Sequence, residues 1–469
     1  MRARHTCRWT LAAALAAAVT GCALNPPPTA DDLKRDALPH MTLPSAWKGG
    51  GVAAPVPDRW LATFDDPALS ALVAEALVYN ADLQVAAARV EQAAGYVKVA
   101  SGALWPSVGV AAMGGGKSGG SGGLDGVWLN ASLELDVWGR LRYGSAAAEA
   151  QSAAVTADYA YARQSLAATI AKAWFVAIEA GLQRAIAQDV LRSSDSLLRV
   201  AQDRLRVGNG NEQAVAEARA NVGAYRDTLR QIELAREQAL RALELLLGRY
   251  PAAEIAVADR LSPMPPPVPV GIPSQLLERR PDVIAAERRV AAAFDRVGEA
   301  RAAQLPRISL TAGGSSVSSD LIVLKNTNNP IWSFGANLIA PLYQGGALRA
   351  QVEIRSAEQK QAVAEYARAG QRAFGEVETA LGAENALRDR EVILEATIRD
   401  SERALELARI QYRVGTVDLR AVEQNQLALY SARISLLRVQ TERLAQRVNL
   451  YLALGGGFDE PVTRAVATQ

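Results

Sequence analysis

The sequence is short of the two residue types on which most catalytic and metal sites depend. Its 469 residues include two cysteines, Cys7 and Cys22, and two histidines, His5 and His40. The chain after residue 40 therefore contains no thiol and no imidazole. This excludes a disulfide scaffold, a Cys/His zinc site and a nucleophile activated by histidine. We expect no enzymatic activity, no bound metal and no small-molecule cofactor.

Proline is absent from two long stretches, residues 107–250 and 342–460. A proline inside a helix removes a hydrogen bond and clashes with the preceding turn, so these gaps are where very long helices can form. A helix over residues 141–207 would be about 100 Å long. The segments that follow each long helix, residues 211–247 and 419–454, repeat apolar residues at spacings of three and four. That spacing predicts helices that pack lengthwise.

Neither sign of charge dominates once the N-terminal segment is set aside. Arg2, Arg4 and Arg8 precede a short apolar stretch, residues 9–20, which is typical of a signal peptide and too short to span a bilayer. The full sequence has 51 basic and 49 acidic residues. Cleavage after residue 21 removes the three arginines and leaves 48 basic and 49 acidic residues. This balance gives no support for nucleic-acid binding.

The end of the signal peptide resembles a bacterial lipobox. The small residues Val19, Thr20 and Gly21 precede Cys22, with valine where leucine is usual. The resemblance implies that Cys22 becomes the N-terminal residue and carries a covalent lipid. Ala23, in place of aspartate after the cysteine, implies delivery to the outer membrane. The alternative is an ordinary signal peptide followed by an incidental cysteine.

The two proline-free stretches belong to two copies of one repeat. A shift of 200 positions aligns nine identical residues, among them Arg89 with Arg289 and Pro106 with Pro306. A shift of 207 positions aligns later residues, among them Gly139 with Gly346 and residues 206–208 with 413–415, both Arg-Val-Gly. The chain is therefore an internal duplication, with seven extra residues between positions 307 and 336 of the second copy.

Each copy contains one stretch in which apolar and polar residues alternate. The first stretch is residues 127–137, with Glu134 and Asp136 on its polar face, and the second is residues 331–342. Shorter strands at residues 107–113 and 307–313, which follow Pro106 and Pro306, are the predicted hairpin partners. A period of two over about eleven residues is long enough to cross a bilayer as a tilted strand.

Four such strands cannot close a barrel, and an open edge in lipid would leave unpaired backbone groups. Two copies would supply eight strands, which fill their own interior, whereas three would supply twelve strands around a lumen. With Glu134 and Asp136 facing inward as lumen residues, a water-filled trimer is the better solution. A soluble β-sandwich with the same alternation remains an alternative.

Three segments carry a family resemblance. Residues 60–88, 268–287 and 374–381 resemble the outer-membrane factors of tripartite efflux pumps, in particular the TolC-like, NodT-type lipoproteins that serve resistance-nodulation-division transporters. The resemblance implies an α+β membrane protein in which four strands per chain complete a trimeric, 12-stranded barrel. Long antiparallel, coiled-coil-like helices then form a tunnel across the periplasm. It also implies a periplasmic membrane-fusion adaptor, an inner-membrane transporter and outer-membrane lipid as partners.

The expected organisation follows the repeats. We predict a signal peptide (1–21), a lipidated segment and waist (22–67), a first repeat (68–249), a proline-rich waist linker (250–275), a second repeat (276–455) and a C-terminal tail (456–469). The hairpin strands are 107–113 with 127–137, and 307–313 with 331–342. The long helices are 141–207, 211–247, 346–414 and 419–454.

The resemblance also indicates the periplasmic aperture and adaptor contact. Gly208 and Gly415 fall at the far periplasmic turns. Many relatives have an aspartate six residues after each glycine, but this chain has Ala214 and Ala421. Asp418, Glu217 and Glu423 lie nearby and can supply negative charge instead, or the gate can be apolar. Asp418 is equally well explained as a helix N-cap.

The predicted function is an outer-membrane channel that passively conducts compounds expelled by a proton-driven inner-membrane transporter. Two alternatives remain: a duct for type I protein secretion, and a periplasmic coiled-coil scaffold lipoprotein that does not span the membrane. The sequence does not specify the substrate.

Overall fold

The computed structural model describes residues 24–52, 54–113, 124–319 and 331–458. The expected signal peptide, Cys22 and residues 459–469 lie outside the described residues. The chain divides into two compact units. The first unit comprises Met1–Met41, Ala87–Asp158 and Asp282–Gly370, and the second comprises Thr42–Ala86, Tyr159–Pro281 and Gln371–Gln469.

The described residues form nine α-helices and four β-strands. In chain order they are α1 (Ala30–Ala37), α2 (Pro67–Tyr79), α3 (Ala81–Gly102), β1 (Ser107–Met113), β2 (Leu124–Leu135), α4 (Arg140–Arg206), α5 (Glu212–Leu246), α6 (Leu276–Arg279), α7 (Pro281–Ala302), β3 (Arg307–Ser319), β4 (Ile331–Ile339), α8 (Ala347–Val414) and α9 (Leu419–Ala453). Short 3₁₀ helices occur at Trp60–Phe64 and Pro273–Gln275.

The duplication is visible in the lengths of equivalent helices. Helices α3 and α7 each have 22 residues, and α5 and α9 each have 35. The long helices α4 and α8 have 67 and 68 residues. The mostly helical chain with one small antiparallel sheet confirms the predicted fold class.

The first unit contains the sheet, whose four antiparallel strands pair in the order β1-β2-β3-β4. The hairpins of the two copies have the same register, since Ser107 pairs with Ser132 and Arg307 pairs with Ile339. These positions are related by the shifts of 200 and 207 that align the sequences. The repeat therefore extends to individual backbone pairs.

Four strand limits, in three of the strands, differ from the sequence expectation. Strand β3 extends to Ser319, six residues beyond the expected end, because it pairs along its length with β2 of the other repeat. Strand β2 begins at Leu124 and ends at Leu135, whereas the alternation predicts 127–137. Strand β4 ends at Ile339, three residues early and just before Pro341, which has no N–H to donate to a ladder.

The second unit is organised around aromatic side chains. The ring of Trp60 stacks on Tyr451 at 5.7 Å between centroids, and Phe64 contacts Phe175 at 5.4 Å. The Trp174 indole donates to the Asp66 carboxylate at 2.8 Å, and Asp66 also caps α2 by accepting from Leu69 N. The core therefore fixes the segment that precedes the first repeat.

The side chains of Trp47 and Arg447 help to hold the proline-rich segment within the second unit. The Trp47 indole donates to the carbonyl of Val270 at 3.0 Å. Arg447, which is 2% exposed, donates to the carbonyls of Pro265 and Pro266 and forms an ion pair with Glu384. These contacts satisfy carbonyls that have no helix or strand partner. The assignment of this segment to a waist remains a prediction.

Candidate functional site

Two turns in the second unit, residues 207–211 between α4 and α5 and residues 415–418 between α8 and α9, form the candidate site. We call them the distal turns. Each contains a glycine in the left-handed region, Gly208 at φ 82° and Gly415 at φ 83°. Glycine adopts this conformation without the steric strain of a side chain. The predicted aperture glycines therefore occupy equivalent positions that require glycine.

Both long helices end with the same hydrogen bonds. Gly208 N donates to Leu205 O and Asn209 N to Arg204 O, at 3.1 and 2.9 Å. In the second copy Gly415 N donates to Tyr412 O and Thr416 N to Gln411 O, at 3.1 and 3.0 Å. This is the Schellman arrangement, which satisfies carbonyls left over at a helix end. It holds both distal turns in one fixed conformation.

The helices that follow are capped by side chains at equivalent positions. The Asn211 side chain accepts from Ala214 N at 2.7 Å, and Asp418 accepts from Ala421 N at 3.0 Å. Asp418 is therefore an N-cap of α9, in agreement with one of the two interpretations of its sequence position. Ala214 and Ala421 lie in the first turn of each helix and carry no charge.

Charge near the distal turns is partly neutralised. Arg420 donates to Glu217 at 2.8 Å across α9 and α5. Hydrogen bonds from Gln213 and Arg420 lower the pKa of Glu217, so this carboxylate stays ionised. Burial raises the pKa of Glu423, whose Oε1 has no hydrogen-bond partner within the described part of the chain. Asp418 is an exposed acidic group.

Arg204 connects the ends of the two long helices. Its guanidinium donates to the carbonyl of Tyr412 at 2.6 Å and lies 4.0 Å from the centroid of the Tyr412 ring. No sequence pattern pointed to Arg204. Its equivalent after a shift of 207 is Gln411, so the repeat comparison gave no signal for this residue.

Beneath the distal turns lies a buried cluster shared by all four helices. We call it the tip cluster, and its members are Ala201, Val215, Ala218, Leu405, Ala408, Tyr412, Leu419, Val422 and Leu429. Outside it, Val207 and Val414 precede the two glycines and are 66% and 70% exposed. The two exposed valines are equivalent in the two repeats, and their assignment to an adaptor contact remains a prediction.

The predicted lumen residues lie at the junction of β2 and α4 in the first unit. Arg140 forms two hydrogen bonds with Glu134, at 3.0 and 2.8 Å. Asp136 lies one residue beyond the strand and accepts from Leu141 N and Arg142 N, both at 2.9 Å. Asp136 therefore leaves the strand alternation because it caps the start of α4. Placement of both carboxylates in a lumen remains a prediction.

The outer strands β1 and β4 have no partner strand in the described part of the chain, and the long paired helices end in Schellman turns. These features are typical of the subunit of an outer-membrane channel. A family model described as outer membrane efflux protein matches residues 72–249 and 272–456. The chain belongs to this family. It is an outer-membrane efflux channel that extends into the periplasm.

Similar proteins cover almost the full chain. The cation efflux system protein CusC of Escherichia coli K12 is 33% identical over 460 residues, which is 94% of this chain and 98% of CusC. The pyoverdine export outer membrane protein OpmQ of Pseudomonas putida KT2440 is 31% identical over 477 residues, 97% of this chain and 98% of OpmQ. The solved structure of the outer-membrane channel OprN has a TM-score of 0.80 at 27% identity, covering 89% of this chain and 97% of that one.

Proposed function

We propose that three copies of this chain form one closed channel that receives compounds from a resistance-nodulation-division transporter through a periplasmic adaptor. The observation that carries the proposal is the four-stranded sheet, in which β1 and β4 are edges without a partner strand in the described part of the chain. Unpaired strand edges are not tolerated in lipid. Three copies supply twelve strands and leave a lumen, whereas two supply eight.

The distal turns are the proposed adaptor contact. Each chain presents two equivalent turns with exposed valines, so a trimer presents six. Their Schellman hydrogen bonds fix the backbone before binding, which reduces the entropy lost on association. Gly208 and Gly415 contribute through the turn conformation that they permit.

The aperture proposal concerns charge. Because Arg420 neutralises Glu217 and alanine occupies positions 214 and 421, Asp418 is the principal acidic side chain that we assign to the rim. Its carboxylate also caps α9, so its charge and its hydrogen bond must be separated by experiment.

Lipidation of Cys22 is supported by the residues that follow it. Leu24 packs on Gly139, where an added Cβ would lie 2.7 Å from Leu24 Cδ2, and Asn25 N donates to the Tyr143 hydroxyl at 3.1 Å. Gly139 lies between the end of β2 and the start of α4. These contacts hold Leu24 and Asn25, which follow Cys22 closely in the sequence, at the junction of β2 and α4.

Replacing Cys22 with serine tests this assignment. We expect Cys22→Ser to lose all incorporation of labelled palmitate. The protein should still reach the outer membrane, because a closed barrel holds the chain there without the lipid. Labelling that persists in the variant would contradict the assignment.

The cargo is not identified by similarity. CusC is named for cations and OpmQ for pyoverdine, two unrelated chemical classes, at 33% and 31% identity to this chain. We propose that the channel is a passive conduit and that cargo selection occurs in the inner-membrane transporter. Type I protein secretion is the competing use of the same channel.

Deletion of the gene distinguishes these functions. We expect hypersensitivity to some members of a panel of antibiotics, dyes, aromatic acids and metal salts, with an unchanged set of secreted proteins. Complementation with the wild-type gene should restore resistance. Loss of secreted proteins with normal susceptibility would contradict small-molecule efflux and favour protein secretion.

A further inference from the structure

A cavity of about 480 Å³ lies between α3, α4 and α7 of the first unit. We call it the three-helix cavity. We propose that it binds small aromatic compounds that carry a negative charge, such as aromatic carboxylates. The cavity is formed within one unit of one chain, so the inference does not rest on the proposed trimer, adaptor or transporter.

Small residues on α4 create the space. Gly144, Ala147 and Ala148 line the cavity, and their spacing of three and four residues places them together on one face of the helix. A Cβ added to Gly144 would lie 3.4 Å from Glu299 Oε1, so the Glu299 side chain of α7 reaches over this glycine. A volume of about 480 Å³ is typical of sites that bind small molecules.

The second repeat does not keep these small residues. The shift of 207 maps Gly144 onto Gln351 and Ala148 onto Arg355, both of which are larger. Helices α4 and α8 nevertheless have almost the same length, 67 and 68 residues. The small residues of α4 are therefore not needed to form the helix. They leave a space in the first repeat that the sequence of the second repeat would fill.

Arg296 of α7 supplies the cavity with a cation that lacks a counter-ion. Its side chain lines the cavity, is half-buried and forms no hydrogen bond or ion pair within the described part of the chain. A guanidinium stays charged at any physiological pH, and partial burial without a counter-ion is unfavourable. A carboxylate bound in the cavity would supply this counter-ion and accept two parallel N–H bonds from the same guanidinium.

The charges around the cavity favour an anion over a cation. Arg89 of α3 lines it together with Arg296, and Glu299 is the one acidic side chain among its lining residues, all of which the structure describes. Two arginines and one glutamate give the lining a net charge of +1. An anionic ligand is therefore attracted, whereas a cationic one would meet two guanidinium groups.

Tyr96 of α3 gives the cavity an aromatic wall, and Ala93 and Val155 add apolar surface. Tyr96 is 62% exposed, so its ring has surface left to bury against a ligand. Aromatic rings pack on one another in offset or edge-to-face arrangements. The shift of 200 maps Tyr96 onto Arg296, so one position supplies the ring in the first repeat and the cation in the second. A ligand with an aromatic ring and one negative group matches both.

Equilibrium dialysis of the purified full-length protein tests the site, with naphthoate as the probe. Detergent without protein is dialysed in parallel to measure the naphthoate taken up by micelles. We expect saturable binding of one naphthoate per chain. Naphthamide has the same ring system without the charge, so it should bind at least about tenfold more weakly. Naphthylmethylammonium, which carries a positive charge, should bind more weakly than naphthamide.

Arg296→Gln separates the effect of charge from that of shape. The variant should weaken naphthoate binding about tenfold and leave naphthamide binding within about twofold, because only naphthoate pairs with the guanidinium. The matched control is Arg288→Gln, which removes an exposed arginine of the same helix that does not line the cavity. This control should leave the affinities for both probes unchanged.

Gly144→Gln tests the space itself. It gives α4 the residue that α8 has at the equivalent position, Gln351, and the added Cβ would be in ordinary contact with Glu299 Oε1 at 3.4 Å. The longer side chain should fill part of the cavity and weaken the binding of both probes at least about fivefold. The matched control is Gly223→Gln, which replaces a helical glycine whose added Cβ would meet nothing within 4 Å.

Preferential binding of naphthoate that is weakened in Arg296→Gln and Gly144→Gln and retained in both controls supports the site. No saturable binding to the wild-type protein, equal affinity for naphthoate and naphthamide, or affinities unaffected by both substitutions would each overturn it. If a variant does not fold, the comparison of the two probes on the wild-type protein still decides the inference. Naphthoate binding by a protein that carries no ion current would contradict the channel function and leave this site standing.

Discussion

Arg204 should hold the ends of α4 and α8 together at the aperture, and Arg204→Ala tests this role. The side chain donates a charge-assisted hydrogen bond to the Tyr412 carbonyl at 2.6 Å and a longer one to the Arg413 carbonyl at 3.4 Å, and it covers the Tyr412 ring. Such a hydrogen bond contributes about 1.5–3 kcal/mol and a cation–π contact about 0.5–1 kcal/mol. Since the site is only partly buried, we expect a combined value of about 2 kcal/mol.

These contacts exist only while the ends of α4 and α8 lie together. Their loss in Arg204→Ala should therefore favour the state in which the two helix ends are apart by about thirtyfold. The assay is single-channel recording in planar bilayers, where Arg204→Ala should raise the fraction of time spent at high conductance. Arg206→Ala is the matched control, because Arg206 pairs with Asp203 on the same helix and both side chains are well exposed. Identical recordings from the two variants, or no change in either, would refute the reasoning.

Three further predictions concern carboxyl groups and their neighbours. Asp418→Asn should remove one charge and keep the cap of α9, because the neutral Asn211 side chain caps the equivalent helix in the first repeat. Asp418→Ala should lose about 1 kcal/mol of stability. Equal thermal stability of the two variants would contradict the cap. Ala421→Asp should increase the cation preference of the pore, and unchanged reversal potentials in a salt gradient would contradict its placement at the rim. Burial, with the charge of Glu149 adding to it, raises the pKa of Asp295 from 3.8 to about 6. Ionisation of Asp295 therefore lowers the free energy of unfolding progressively as the pH rises from about 4 to 6, and by a constant amount above pH 6. Asp295→Asn removes this cost, so it should stabilise the protein by roughly 2–3 kcal/mol at pH 7 and very little at pH 4. Thermal unfolding at pH 4 and pH 7 measures the stabilisation by Asp295→Asn. Equal stabilisation at both pH values would contradict ionisation of the buried Asp295 carboxyl as its cause.

Local signals were sufficient to predict much of the fold. Pro106 and Pro306 fix where β1 and β3 begin, and Gly208 and Gly415 fix where α4 and α8 end. These positions are readable because each depends on the conformational limits of one residue. The fold class and the channel function followed from them together with the family resemblance.

Long-range contacts account for what the sequence did not reveal. The extension of β3 to Ser319 depends on pairing with β2 of the other repeat, which a local pattern does not encode. Asp136 is a separate case, because its contact is local: the apolar and polar alternation of the sequence continues to this residue, but β2 ends at Leu135 and Asp136 caps α4. Arg204 finds its partner on α8, and its repeat equivalent is glutamine, so neither periodicity nor duplication marked it.

The most direct test of the account is the ion current carried by the purified oligomer in a planar lipid bilayer. A water-filled channel made from the strands of several copies predicts stepwise current increases from a detergent-resistant species with the mass of three chains. A folded trimer that inserts but carries no current, or a protein that remains outside the bilayer, would contradict the claim that this chain is an outer-membrane channel.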